Sequence, residues 1–205
     1  MNAQMAIVDV MEVFSPGRVG KACKQFGLEQ GLAMDIKSGY DFDLAADRAK
    51  CWAAIEREKP TLVIGSPPCT LLSRLQELHK HMYKESREWM AKFQDRMQQA
   101  KRYVKFCVDI CSYQRSQGRF FLHEHPWLAT SWGLDCVEKL VAQHDVRRVQ
   151  THMCQLGMMS RIGGVGSELC AVLKRTGFMT NSVRIAKELQ KVCPRDHIHI
   201  ARSKS

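Results

Sequence analysis

Apolar positions along the chain gather into short runs separated by longer segments of helical spacing, an alternation that predicts strands and helices in turn. Ile7–Phe14 (IVDVMEVF) reads as a first buried strand, broken by Ser15, Pro16 and Gly17 ahead of an amphipathic segment from Val19 to Phe26. A second run, Gly31 to Ile36, carries Asp35 near its end. Asp41 and Asp43 then mark a turn before a helix that stops ahead of Pro60, since the residue preceding a proline disfavours the α region. Thr61–Gly65 (TLVIG), bounded by Pro60, has the unbroken apolar character of a strand buried on both faces. From Glu85 to about Gln117, Trp89, Met90, Phe93, Met97, Ala100 and Val104 recur at helical spacing and predict a long helix ended by Gly118. Phe120–Glu124 is the next strand, followed by a short helix over Cys136–Gln143, a strand near Arg148–Thr151 and a helix within residues 180–193. The expected fold is a single α/β domain over residues 1–205, with a doubly wound, mostly parallel sheet and helices on both faces.

Sheets of this kind bind ligands outside the carboxyl ends of their strands. The turn Ser66-Pro67-Pro68-Cys69-Thr70 leaves one such end, and Glu124 closes a second. A carboxylate and a cysteine at one edge form a nucleophile and acid-base pair, and the two prolines would hold the thiol with little entropy to lose. Burial of Cys69 as an inert small residue is the alternative. The other face of the long helix carries Lys92, Arg96, Lys101, Arg102 and Lys105, a face either simply solvated or tracking phosphates.

Charge sharpens this picture. A formal net charge of +10, from 31 Lys and Arg against 21 Asp and Glu, favours a polyanionic partner, nucleic acid above others. No apolar run approaches the ~20 residues a spanning helix needs, and the first residues lack signal-peptide features, so an intracellular protein of nucleus or cytoplasm without membrane contact is expected. The nine cysteines are scattered without a CxxC, so free thiols are expected rather than a disulfide framework or a ribbon-type zinc site. His-x-His pairs occur at His79 and His81, His123 and His125, and His197 and His199. No metal is expected; Cys193 with His197 and His199 is the best candidate.

The stretch EVFSPGRVGKACKQFGLEQGLAMDI resembles the opening of the carbon-5 cytosine DNA methyltransferases, a class I fold: an acid, Leu-Phe, Ser/Ala-Gly, a Gly pair, a helix with Phe-Gly and a strand ending in Asp. Pro16 within the turn, and Arg18 and Val19 where glycine is usual, depart from it. GSPPCTLLS is similar to the family's Gly-Gly-Pro-Pro-Cys-Gln-x-Phe-Ser, with Thr70 and Leu72 as departures. Glu124-His125-Pro126 stands where the family has Glu-Asn-Val, and TNSVRIAKELQKVC resembles its closing Gly-Asn-Ser/Ala-Val segment. The family's Gln-x-Arg-x-Arg strand has no counterpart beyond Gln155 and Arg161, and no segment for a target-recognition domain remains. The resemblance covers roughly residues 8–130 and also touches methyltransferase-like segments of mobile elements.

The resemblance implies S-adenosylmethionine as cofactor, lined by Phe14, Ser15, Gly17 and Pro67, with Asp35 and Ile36 on its ribose and adenine. Asp43 would face the adenine amino group, although an N-cap is an equal use for it, and Asn181 would also meet the cofactor. Cys69 would attack carbon 6 of a cytosine and Glu124 would bind ring nitrogen 3; independently of the resemblance, the basic charge points to Arg74, Arg102 and Lys105 as contacts to nucleic acid. Two other readings stand beside this one: an accessory module that binds nucleic acid without catalysis, and an exocyclic-amino methyltransferase, since Ser66-Pro67-Pro68 also resembles a Ser-Pro-Pro-Tyr turn.

Overall fold

The computed structural model describes residues 7–73, 76, 80–161 and 168–200. Four parallel strands form its centre: β1 (Val10–Val13), β2 (Gln30–Met34), β3 (Leu62–Gly65) and β4 (Phe120–Pro126). Between them run α1 (Arg18–Cys23), α2 (Ala45–Glu58) and α3 (Arg87–Ser116), then α4 (Asp135–Val141) leads to β5 (Arg147–His152). The chain next forms β6 (Met159–Arg161), β7 (Leu169–Val172) and β8 (Arg175–Thr180), then α5 (Val183–Leu189) and the short β9 (His199–Ile200).

The main sheet has the order β2-β1-β3-β4-β8-β5, with β8 antiparallel to both of its neighbours. A second sheet has the order β6-β7-β9. The mixed, mostly parallel α/β sheet agrees with the expected fold class; the inserted antiparallel strand was not anticipated. RTGFMT has no alternating polarity because Thr176 through Thr180 are buried on both faces. Its position between β4 and β5 is set by pairing across the chain, which leaves no local signature.

Alternation along the strands sorts the core into two layers. Met11, Val13, Val63 and Phe121 lie under α2 and α3, packed with Cys51, Ile55, Val104, Cys107 and Ile110. On the other face Val149 and Phe178 pack with Ala186 of α5, and Glu12 bonds the start of α1. Helices therefore cover both faces, as the sequence predicts. Gly65 marks how closely α3 approaches: a Cβ there would stand 2.2 Å from Cys107 Sγ.

Several boundaries differ from expectation. β1 is shorter than Ile7–Phe14 because Phe14 turns left-handed at φ 58 and Ile7 lies exposed before the strand. Asp35 is outside β2 and caps a 3-10 turn over Ile36–Ser38, accepting from the Lys37 amide at 3.0 Å. Asp43 is not an N-cap: α2 begins after Leu44, which offers no capping side chain, and the Asp43 carboxylate is held elsewhere. α3 begins with Ser86, whose hydroxyl accepts from the Trp89 amide at 3.3 Å. None of the nine cysteines is joined in a disulfide, and among the described residues no helix is long and apolar enough to cross a membrane.

Candidate active site

β1 pairs with β2 on one side and β3 on the other, so the direction of winding reverses between β1 and β3. The crevice outside the carboxyl ends of two such strands is where open α/β sheets receive ligands. Two loops leave from that point. The first carries Phe14, Ser15 and Gly17, the second Ser66, Pro67 and Cys69, and the Ser66 amide donates to the Val13 carbonyl at 3.1 Å to join them.

The first loop is built on a buried acid that sequence reading did not assign to the site. Glu12 accepts from Ser15 Oγ at 2.5 Å and from the Gly20 amide at 2.8 Å, so one carboxylate ties the strand end to the start of α1. The acid in the EVF motif was the available signal. The Phe14 amide donates to the Met34 carbonyl at 2.8 Å, fixing the left-handed residue between β1 and β2. A non-glycine residue in that region costs about 1–3 kcal/mol, an expense concentrated at ligand clamps and active sites. Its ring packs on Phe42 and Tyr103, at centroid distances of 4.6 and 5.4 Å. Gly17 needs its φ of 74, and a Cβ there would meet Ala33 Cβ at 2.9 Å.

Asp35 and Ile36 follow β2 at the same edge, and Ile36 leaves 66% of its surface to solvent, an apolar side chain open to a flat ligand. Asp43 lies beside the Phe14 cluster. Tyr103 Oη donates to its Oδ2 at 2.7 Å, Gln99 Nε2 donates to the same atom, and Arg102 stands 3.6 Å from Oδ1. Burial pushes this carboxyl up, but the bonds from Tyr103 and Gln99 and the Arg102 cation outweigh it and hold the group below the ordinary carboxylate range. Burial and the Asp43 carboxylate in turn push the Tyr103 phenol up to about 12. Oδ1 itself is buried without a hydrogen bond. An exposed apolar side chain, a partly buried acid and a close backbone turn thus stand together at this edge.

In the second loop Pro67 is buried, Pro68 exposed and Cys69 half-buried at the start of a 3-10 turn over Thr70–Leu72. The loop is fastened to β4. His125 Nε2 donates to the Pro67 carbonyl at 3.0 Å, while Ser131 Oγ lies 2.5 Å from Nδ1 and donates to it. Burial, reinforced by the Lys174 cation and opposed by the Pro67 carbonyl, pulls the His125 pKa down to about 4, so the ring is neutral near pH 7. The Trp132 ring stands edge-on to His123 and His125. Its face carries the Arg148 guanidinium, sandwiched at 4.2 Å from Trp132 and 4.1 Å from Trp127. Both ring nitrogens of His125 are therefore taken up within the core, and His123 is buried beside it, so the two do not form an open chelating pair.

Glu124 sits between these histidines on the opposite face of β4, one residue beyond the pairing of Gly65 with His123. Cys69 and Glu124 thus reach the same edge, two residues past Pro67 and one before the histidine that holds Pro67. Lys174 Nζ donates to Glu124 Oε1 at 3.3 Å. This cation, in the connection between β7 and β8, is a site residue that sequence reading missed, because only the unexpected strand brings it there.

Other expected residues are not at this edge. Asn181 follows β8, whose antiparallel course delivers it to the opposite end of the sheet. There its amide is consumed: Oδ1 accepts from the Phe121 amide at 3.0 Å, and Nδ2 donates to the Arg119 carbonyl at 2.9 Å. Ser182 beside it is the N-cap of α5. On α3 much of the basic face is internally paired: Lys92 with Glu88 at 2.6 Å, Arg102 with Asp43 and Lys105 with Asp109 at 2.7 Å. Arg74 and His79 lie outside the described residues. Compared with known proteins, the chain matches no family model and no curated protein.

Proposed function

We propose that the chain is an S-adenosylmethionine-dependent methyltransferase acting on carbon 5 of cytosine in nucleic acid, DNA foremost, with Cys69 as nucleophile and Glu124 as the acid-base group. The observation that carries this reading is the convergence of two loops at the reversal point of the sheet, one with a strained Phe14 and a glycine turn, the other with a cysteine clamped through Pro67 to the strand that bears Glu124. Bound S-adenosylmethionine would supply an electrophilic methyl group. Phe14, Gly17, Asp35, Ile36 and Asp43 would bind and orient it.

The Cys69 thiolate would add to carbon 6 of a base that is unpaired or flipped from its duplex, making carbon 5 nucleophilic. Glu124 would steady ring nitrogen 3, with Lys174 setting the position of its carboxylate. After methyl transfer, loss of the carbon 5 proton and expulsion of the thiolate would restore the ring. The net positive charge suits a polyanionic substrate.

A nucleic-acid strand containing 5-fluorocytosine tests the reading, because fluorine cannot leave as a proton does. With cofactor present the protein should form a covalent adduct. Cys69→Ser should abolish the adduct while cofactor affinity stays nearly constant, and Glu124→Gln should slow trapping by more than about tenfold. Absence of binding heat at millimolar S-adenosylmethionine sinks the proposal. One observation favours an accessory module instead: Lys174 already engages Glu124. Cofactor and nucleic-acid binding without transfer to any cytosine-containing strand would select that reading.

A further inference from the structure

We propose that Cys154, Cys193, His197 and His199 form a tetrahedral zinc site that fastens the C-terminal segment to the body of the protein. Each offers one ligand atom, and the four atoms lie within 4.8 Å of one another. Cys193 Sγ is 3.7 Å from His197 Nε2 and 3.4 Å from His199 Nε2. A tetrahedral ion with Zn–S of about 2.3 Å and Zn–N of about 2.0–2.1 Å sets the sulfur–nitrogen separation at about 3.6 Å. Cys193 Sγ and the two imidazole nitrogens are therefore spaced as a zinc ion would hold them, with Cys154 within reach as the fourth ligand.

The surroundings are those of a metal centre. His197 Nδ1 lies 2.7 Å from Asp196 Oδ1, so Nδ1 carries a proton for the carboxylate and Nε2 turns its lone pair toward the sulfur. This carboxylate–histidine arrangement fixes ligand orientation and basicity in zinc sites. The Arg195 amide donates to Cys193 Sγ at 3.2 Å, which fixes the sulfur's position within the turn. The Cys193 amide donates to His152 Nδ1 at 3.0 Å, anchoring the backbone that presents the sulfur to the end of β5. Two sulfurs and two imidazoles select zinc over the hard cations, and four protein ligands close the shell, which assigns a structural role.

The segment needs such a fastening. Val192 and Ile198 leave 57% and 82% of their surfaces to solvent, so little apolar surface besides Cys193 holds it, and among the described residues β9 contributes the pairing of Ala171 with His199 and Val172 with Ile200. The ligands come from the turn after β5, the stretch after α5, and β9, three parts of the chain that one ion would join at a single point. Among the described residues the other grouping of this kind, Cys107, Cys111 and His123, has three members buried in the core beneath α3, where Cys107 Sγ meets His123 Nδ1 at 3.3 Å. It lacks a fourth ligand and a path for an ion. No metal is expected from the sequence because the chain has no HExxH and its His-x-His pairs lie far apart; Cys193, His197 and His199 are the best candidates there, and Cys154, distant in the chain, is not among them.

The full chain, purified without chelator, should carry one zinc ion per chain by plasma mass spectrometry. Cys193→Ser and His199→Ala should reduce that to below about a tenth, whereas Cys107→Ser should keep it. Because loss of a ligand can unfold the segment, cobalt supplies an independent reading: the zinc-stripped protein should take up one Co²⁺ with tetrahedral ligand-field bands and thiolate charge-transfer absorption. His197→Cys should retain one ion and intensify the charge transfer. Wild-type protein that holds neither zinc nor cobalt stoichiometrically overturns the site, and so does Cys193→Ser with its metal intact.

Discussion

The two ends of the main sheet are built from different chemistry. Where the parallel strands begin, amide and hydroxyl side chains seal the backbone: Gln114 Nε2 donates to the Pro60 and Phe120 carbonyls at 3.0 and 3.1 Å, Asn181 brackets Phe121, and Thr180 Oγ1 donates to the Phe121 carbonyl at 2.5 Å. None of these side chains titrates near neutral pH. Where the strands end stand an acid, a thiol, two buried neutral histidines, a lysine and a left-handed phenylalanine. One end closes the fold, and the other keeps groups able to change charge or partner.

Acid should expose this difference most. The depressed His125 pKa has no effect on stability above its ordinary value of 6.5, because both folded and unfolded rings are then neutral. Between 6.5 and about 4 the unfolded ring binds a proton that the folded one refuses, so stability falls with falling pH and levels off below about 4, by a total of about 3 kcal/mol. Burial moves His123 in the same direction. Denaturant titrations across this range should show the loss, and His125→Gln should remove its share; a flat profile would mean that His125 is charged in the fold.

Asn181→Ala strips the sealed end of two hydrogen bonds and should cost about 1–3 kcal/mol in thermal or denaturant unfolding. It should leave S-adenosylmethionine affinity unchanged, and a weakened cofactor would return this residue to the site. Asp35→Ala is the mirror image. It loses a cap worth about 1 kcal/mol, and under the proposed function it should reduce cofactor affinity in a calorimetric titration by a larger factor than it reduces stability. Lys105→Ala, on the exposed pair with Asp109, should change unfolding by no more than about 0.5 kcal/mol; if nucleic acid binds that face, the same variant should flatten the salt dependence of binding.

What could be read from the chain divides along the same line. TLVIG, GRFFLHE and the stripe along α3 announced their elements because burial of parallel strands and of one helix face leaves unbroken or periodic apolar residues. The joint presence of Cys69 and Glu124 at one edge followed from the parallel order alone. Asn181 was misplaced because a local motif contains no strand direction, and β8 reverses it. Lys174 was missed for the same reason, being carried to Glu124 by a strand that was not foreseen. Asp43 looked like a cap in sequence, but long-range partners on α3, Gln99 and Tyr103, claimed its carboxylate.

The insertion of β8 also sets an order of events during synthesis. Among the described residues β5, made before β8, pairs with that strand alone, and β4 keeps an open edge until the same strand arrives. The nascent chain therefore holds two unsatisfied strand edges while residues 153–174 are added, and a chain stopped in that interval presents them to any neighbour with an edge of its own. Closure of the sheet waits on a loop spanning Pro126 to Arg175, a non-local step that makes the last strand to enter the one on which escape from aggregation depends.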